Sequence, residues 1–288
     1  EFLKEMLLNQ YGEEILNQII NGYVNRSVTL RINTIKTNKD YVKNKLIELG
    51  INFKEVIWNE DALIIENANE VDLKKLDMYK NGEIYLQSLS SMLPVIVLNP
   101  KKDENILDMA AAPGGKTTQI AALCDNNAMI TACEKNKIRS ERLKYNLKRQ
   151  GVGCVNVLVE DARKLSEYFS FDKILLDAPC SGSGTENINE KQFTKELIER
   201  SQKTQIELLK KAIQILKPGK EMVYSTCSIL GEENEEVIKK FLNEVEVVPI
   251  DKNIFENISL LPTKIEGTIC IAPSDLYEGF FVAKLKKK

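Results

Sequence analysis

Residues 105–118, NILDMAAAPGGKTT, allow few folds. Apolar Ile106, Leu107 and Met109 read as a buried strand. Pro113, Gly114 and Gly115 make a tight turn, and Thr117 and Thr118 open a helix that continues through Ile120, Ala121 and Leu123. A strand that feeds a helix through glycines gathers backbone N–H groups at one point, where they can hold a carboxylate or a phosphate. Two nucleotide-binding patterns do not fit. A P-loop needs glycine five residues before Gly115, where this chain has Ala110, and the Gly-x-Gly-x-x-Gly fingerprint is absent. Asp108 ahead of the turn and Glu134, twenty residues after Gly114, suit a nucleoside better. A plain strand–turn–helix corner is the competing reading.

Around this stretch the pattern alternates. Helical spacing runs through residues 1–25, a strand through 28–35, a helix through 38–50 with Asn38 as cap, and two short strands through FKEVIW and ALIIEN. Residues 85–98 read as a helix kinked at Pro94. Helices are expected at 116–124, 136–150, around 162–169, at 194–216 and from Glu232 to Val245. Strands are expected at 105–109, 128–133, 154–159, 172–177 and 221–225, with three more in VEVVPI, TICIA and GFFVAKL. Such alternation predicts an α/β fold, a doubly wound, mostly parallel sheet, with a small N-terminal α/β extension. The expected division is 1–84 for the extension and 85–288 for the main domain.

In doubly wound sheets ligands sit beyond the carboxyl ends of the strands. Those ends carry a consistent set here. The central strand ends in Ala110–Lys116, the second in Glu134, the third reaches Asp161, the fourth ends in Asp177-Ala178-Pro179-Cys180, and a later one in Ser225-Thr226-Cys227. Singly, a strand-end Asp caps a helix and a Cys fills a core. Together they point to function, because polar residues on loops held by a rigid scaffold usually bind or catalyse.

Composition narrows the chemistry. With no histidine among 288 residues, Ser–His and Cys–His triads are excluded, so Cys, Asp, Glu, Lys, Tyr or Ser must do any work. The six cysteines include no C-x-x-C pair, which leaves no zinc or redox motif and no expected metal. Free thiols in a reducing cytoplasm are expected. No apolar run approaches the roughly 20 residues of a membrane span. Net charge is −2, yet Lys135, Lys137, Arg139, Arg142, Lys144, Lys148 and Arg149 crowd one segment. That cluster is either a solvated helix face or a surface for an anionic partner.

In the order AAAPGGKTT, DAPCSG and STCS, the chain resembles the Sun/NSUN family of S-adenosylmethionine-dependent RNA (cytosine-5)-methyltransferases. The likeness extends to LRINT, YLQSLSSM, EENEEVI and GFFVAKL, from about Leu30 to Leu285. It implies a Rossmann-like class I methyltransferase fold with S-adenosyl-L-methionine as cofactor and RNA as partner, either rRNA or tRNA. It implies that Ala110, Ala111, Ala112, Pro113, Gly114, Gly115 and Lys116 wrap the methionine and ribose, Glu134 accepts from the ribose hydroxyls, and Asp161 lies near the adenine. Asp177 then stands where cofactor and target base meet. By the same resemblance Cys227 is the nucleophile that adds to carbon 6 of cytosine, and Cys180 assists release. A cytoplasmic monomer without membrane contact is expected. The loop TENINEKQF departs from the family in having almost no positive charge, and TICIAP carries Cys270 where the family often has arginine. Two other readings stay open: a DNA cytosine methyltransferase using Cys180, which follows Pro179, and a non-enzymatic RNA-binding or ribosome-assembly factor.

Overall fold

The computed structural model describes residues 1–185 and 192–288; residues 186–191, the middle of the TENINEKQF loop, lie outside it, and so does the expectation about RNA contacts there. The chain divides into two compact units. One is Ser27–Asp161; the other joins Glu1–Arg26 to Ala162–Lys288.

Helices α1 (Phe2–Tyr11) and α2 (Glu13–Gly22) open the second unit. One helix was expected over 1–25. Gly12, at φ +83°, breaks it into two, and its N–H closes α1 on the Leu8 carbonyl.

The unit Ser27–Asp161 begins with a small antiparallel sheet. Its elements are β1 (Val28–Ile32), α3 (Lys39–Glu48), β2 (Phe53–Val56), β3 (Asn59–Ile65), the short helices α4 (Glu70–Lys74) and α5 (Asp77–Lys80), and β4 (Ile84–Leu86). The strand order is β2-β3-β1-β4. Asn38 caps α3 as expected, accepting from the Tyr41 N–H. Leu30, Ile32, Val42, Leu46, Leu63 and Ile65 form the core between sheet and helix. Each such side chain contributes about 1.5–3 kcal/mol by leaving water. The helix expected over 85–98 starts later. Residues 84–86 pair with β1 instead, and Ser88 then caps α6 (Leu89–Leu98).

The rest of this unit is the strand–helix alternation read from the sequence. It comprises β5 (Asn105–Asp108), α7 (Gly115–Leu123), β6 (Met129–Cys133), α8 (Lys137–Arg149) and β7 (Val155–Leu158). β5 pairs parallel with β6, and β6 with β7. Parallel neighbours need a crossover, which α7 and α8 supply.

The other unit continues with β8 (Phe171–Asp177), α9 (Lys195–Ile215), β9 (Leu216–Thr226), α10 (Glu235–Lys239), β10 (Val245–Val248), β11 (Leu260–Leu261), β12 (Ile269–Ile271) and β13 (Phe280–Lys287). β8 and β9 are parallel; β13 runs antiparallel to β9, β12 and β10. The helix expected around 162–169 is a single tight turn, Ala162–Lys164. The helix expected over Glu232–Val245 is interrupted at Asn234 (φ −116°, ψ −94°) and ends at Lys239. Asn234 is pulled away from helical geometry by its own side chain, which accepts from Thr226 Oγ1 at 2.5 Å and donates to the Ser228 carbonyl at 2.8 Å. Among the described residues no helix is long and apolar enough to cross a membrane.

Two glycines set the end of this unit. Gly184 N–H donates to the Cys227 carbonyl at 2.9 Å, and Gly279 N–H donates to the Gly184 carbonyl at 2.8 Å. A Cβ on Gly184 would stand 2.0 Å from the Gly279 oxygen and 2.9 Å from that of Cys227. Gly184→Ala should therefore cost about 3 kcal/mol. Gly153→Ala, whose Cβ would meet nothing nearer than 3.9 Å, is the control and should change stability little. Urea unfolding of the two variants checks this; equal midpoints would mean that the loop can move apart freely.

Candidate active site

The Gly-rich turn is held by its carbonyls. Arg139 Nη2 donates to the Ala112 oxygen at 3.0 Å, Asn146 Nδ2 to the Pro113 oxygen at 2.8 Å, and the Thr118 N–H to the Gly114 oxygen at 2.9 Å. Arg31 Nη2 reaches the Gly115 oxygen at 3.2 Å. Gly114 sits at φ +113°, which a residue with a side chain rarely adopts. Beneath the turn, buried Asp108 accepts from the Thr117 hydroxyl at 2.7 Å. Lys116 Nζ donates to Ser91 Oγ at 2.9 Å.

Glu134, buried at the end of β6, accepts from the Asn136 N–H at 2.9 Å, with Arg139 Nη1 3.8 Å from its other oxygen. Asp161, half-buried, follows β7. Turn, Glu134 and Asp161 thus lie at or just beyond the carboxyl ends of β5, β6 and β7. The acceptors on Glu134 and Asp161 suit hydroxyl and exocyclic amine donors, as a nucleoside offers.

The other unit carries the thiols. Cys180 follows β8 and Cys227 follows β9, and parallel pairing of these strands sets Asp177 opposite Ser225. Ser225 Oγ donates to Asp177 Oδ1 at 2.8 Å. The two sulfurs are 3.0 Å apart, and both cysteines are free thiols. Cys180 holds its proton well above the ordinary thiol range. The hydrogen bond to Cys227 is the largest cause, loss of water around the sulfur the second, and the charges of Cys227 and Glu233 add to it. Cys124, Cys133 and Cys270 are buried, and burial, with the charges of Asp108 and Glu160 adding to it, pushes the Cys133 thiol up to about 12.

Residues 95–286 match the family described as 16S rRNA methyltransferase RsmB/F, and residues 1–72 match its ferredoxin-like domain. The chain belongs to the RsmB/F methyltransferase family. Ribosomal RNA small subunit methyltransferase F of Aeromonas salmonicida is 37% identical over 273 residues, which are 90% of this chain and 57% of that protein. A mouse 28S rRNA (cytosine-C(5))-methyltransferase is 34% identical over 311 aligned positions, covering 100% of this chain and 38% of its own length. The chain thus spans little more than half the length of the first of these relatives. Among solved structures, NSun6 from Pyrococcus horikoshii with SFG superposes with a TM-score of 0.89 at 26% identity, covering 99% of this chain and 97% of that one. The fold is accordingly that of a class I methyltransferase, α/β with a mostly parallel sheet, as the sequence led us to expect.

Within this RsmB/F architecture, each unit groups its own share of the expected residues. Ala110–Lys116, Glu134 and Asp161 gather in Ser27–Asp161, while Asp177, Cys180 and Cys227 gather in the other unit. Two charged residues that sequence reasoning passed over organise these groups. Glu233 in the second unit is fully buried; in the sequence it was one of four acidic residues in GEENEE, at the start of an expected helix. Arg31, 2% exposed on β1, was read only as part of LRINT. Its guanidinium donates to Gln87 Oε1 at 2.9 Å and Thr118 Oγ1 at 2.7 Å as well as to Gly115, and lies 5.5 Å from the Tyr85 ring centroid. Burial lowers its pKa to about 10, which leaves it charged at neutral pH. The sequence carried no signal for this, because Arg31 falls on the polar phase of the strand, opposite the face of Leu30 and Ile32.

Arg31→Met keeps the apolar stem and removes the donors to Gly115, Thr118 and Gln87. Stability should fall by about 2–3 kcal/mol, the worth of hydrogen bonds to a charged group plus acceptors left unmet. Denaturant unfolding measures it; a loss below about 0.5 kcal/mol, within the range of ordinary surface substitutions, would mean that the turn is braced without Arg31.

Proposed function

We propose that this chain is an S-adenosylmethionine-dependent RNA cytosine carbon-5 methyltransferase acting on ribosomal RNA. The observation that carries this reading is the pair of thiols 3.0 Å apart beside Asp177, each on the loop after one of two parallel strands. Family membership supports it, as do the ribosomal RNA and cytosine named for the relatives.

Cytosine carbon 5 is a weak nucleophile. Addition of the Cys227 thiolate forms a sulfur–carbon bond at carbon 6 and moves the ring double-bond electrons to carbon 5. Asp177, held by Ser225, hydrogen-bonds to or protonates the ring at nitrogen 3 and so stabilises the negative charge that develops there. S-adenosylmethionine, when bound, supplies the electrophilic methyl group. Ala110–Lys116, Glu134 and Asp161 hold it: turn amides for its carboxylate, Glu134 for the ribose hydroxyls and Asp161 near the adenine. Once carbon 5 carries the new methyl it loses its proton to a base, the double bond reforms and the Cys227–carbon bond breaks. Cys180, which keeps its proton at neutral pH, donates it to the departing Cys227 sulfur in this reading, which the 3.0 Å between the two sulfurs supports. The base must be unstacked to reach such a centre, so a single-stranded or flippable cytosine is the substrate.

Residues 1–84 are proposed as the RNA-binding-like N-terminal domain and 85–288 as the methyltransferase domain, in a cytoplasmic monomer. The basic face of α8 is proposed as an RNA surface. Arg139 is excluded from that face, since it is tied to Ala112. Lys137→Glu with Arg142→Glu should weaken RNA binding and flatten its salt dependence by roughly two in log–log slope, one per phosphate contact. Unchanged affinity and slope would remove α8 from the RNA surface.

The covalent step has a direct test. Wild type, Cys180→Ala and Cys227→Ala are mixed with unmodified ribosomal RNA and S-adenosylmethionine and run on denaturing gels. Cys227→Ala should form no adduct and lose methyl transfer by at least about a thousandfold. Cys180→Ala should accumulate a protein–RNA adduct. The reverse pattern would make Cys180 the nucleophile, as in the DNA-type mechanism. Methyl transfer retained by Cys227→Ala would overturn the assignment.

A further inference from the structure

Each of the two thiols is followed by a serine, Ser181 after Cys180 and Ser228 after Cys227. Both serines bind the same carboxylate. Glu233 Oε1 accepts from the Ser181 N–H at 2.8 Å, and Oε2 accepts from the Ser181 hydroxyl at 2.7 Å. Oε2 also accepts from the Ser228 hydroxyl. A fourth donor comes from α9: Gln205 Nε2 lies 3.1 Å from Oε1 and 2.9 Å from the carbonyl of Pro179, the residue before Cys180. Glu233 is 0% exposed, so a merely solvated carboxylate is excluded. The Tyr224 hydroxyl donates to the Glu233 carbonyl at 2.6 Å and fixes the backbone from below. Ser183 Oγ, 2.9 Å from Ser228 Oγ, accepts from the Ile229 N–H at 3.0 Å and makes a second tie between the loops.

A carboxylate bridging two loops differs from a generic buried ion. Four donors meet its two oxygens, and three of them come from residues adjacent in sequence to the cysteines. Moving either loop by an ångström would break a charge-assisted hydrogen bond in the dry interior, at far higher cost than at a surface.

We propose that Glu233 is the positioning residue of the thiol pair, fixing Cys180 against Cys227 through the serine that follows each. The inference deepens the methyltransferase reading and rests on it for the meaning of the pair. Glu233 does not touch the reacting atoms in this scheme; it acts through Ser181 and Ser228. Its charge has a second effect. The titratable groups around Cys180 are Cys227, Glu233 and Tyr224, with Asp177 acting on Tyr224 from the end of β8. A negative carboxylate disfavours a second negative charge nearby, so it adds to the hydrogen bond from Cys227 and the loss of water that keep the proton on Cys180.

The test needs neither RNA nor methyl donor, so its failure is distinguishable from failure of the methyltransferase reading. Full-length wild type and Glu233→Gln, each confirmed folded by thermal unfolding, are treated with dibromobimane, a short bifunctional thiol reagent. Peptide mapping then follows the Cys180–Cys227 cross-link. In parallel, iodoacetamide labelling of Cys180 is followed against pH. Glu233→Gln replaces an acceptor by a donor facing Ser181 or Ser228 and removes the charge. The cross-linking rate should fall about tenfold, the equivalent of 1.4 kcal/mol in positioning. The Cys180 labelling profile should move to lower pH, with labelling at pH 8 about threefold faster, a half-unit shift. If Glu233→Gln does not fold, Ser181→Ala, which keeps the charge and the Ser181 N–H bond but cuts the hydroxyl tie, should slow cross-linking by about threefold without moving the pH profile. An unchanged cross-linking rate in either folded variant overturns the proposal. So does an unchanged labelling profile in folded Glu233→Gln.

Discussion

A charge taken out of water must be met by polar groups, or the fold expels or neutralises it. That constraint shapes both units. In Ser27–Asp161 the buried charge is the Arg31 guanidinium, met by Gln87, Thr118 and the Gly115 carbonyl. In the other unit it is the Glu233 carboxylate, met by Ser181, Ser228 and Gln205. Each sits one layer behind the groups that would do chemistry, and each links segments that are distant in sequence. A neutral residue of the same size could fill either space. It could not demand several donors or acceptors at fixed distances. The two charges therefore supply geometry that apolar packing alone would leave loose.

Much of the fold was legible because its signals are local. The strand–turn–helix of 105–118 needs only an apolar run, two glycines and a helix start, and the structure has β5, the turn and α7 there. Asn38 caps the helix that follows it. The strand ends named Glu134 and Asp161 in one unit, and Asp177, Cys180 and Cys227 in the other, because ligands of parallel sheets sit beyond the carboxyl ends of the strands. What failed were segments whose local preference is overridden by distant partners. Residues 232–245 have helical composition, but Asn234 finds Thr226 and Ser228. Residues 84–86 could begin a helix, but β1 offers them a ladder. Arg31 and Glu233 were invisible for the same reason: a charged residue is read as surface unless its partners are known, and those partners lie far along the chain.

The basic cluster on α8 shows the same limit from the other side. Counted in sequence, Lys135 to Arg149 is one positive block. In the fold its members divide. Arg139 serves the Ala112 carbonyl and Glu134. Arg149 lies between two aromatic rings, 4.4 Å from the centroid of Tyr79 and 5.8 Å from that of Tyr145. Guanidinium groups are suited to both tasks, since they are planar and weakly hydrated. A count of positive charge overstates what such a helix can offer an anionic partner.

The loops that carry the thiols are fastened from both extremes of the described chain. Tyr11 and Tyr23 donate to the carbonyls of Ile229 and Ser183, both at 2.5 Å. Gly279 closes on Gly184, which in turn holds Cys227, and Phe281 of β13 lies opposite Thr226. During synthesis Cys227 therefore emerges from the ribosome with its first supports already waiting and its last ones still unmade. Contacts of such long sequence separation form late, because the intervening chain must be ordered first. An incomplete nascent chain lacks the backing that β13 gives to the Cys227 loop.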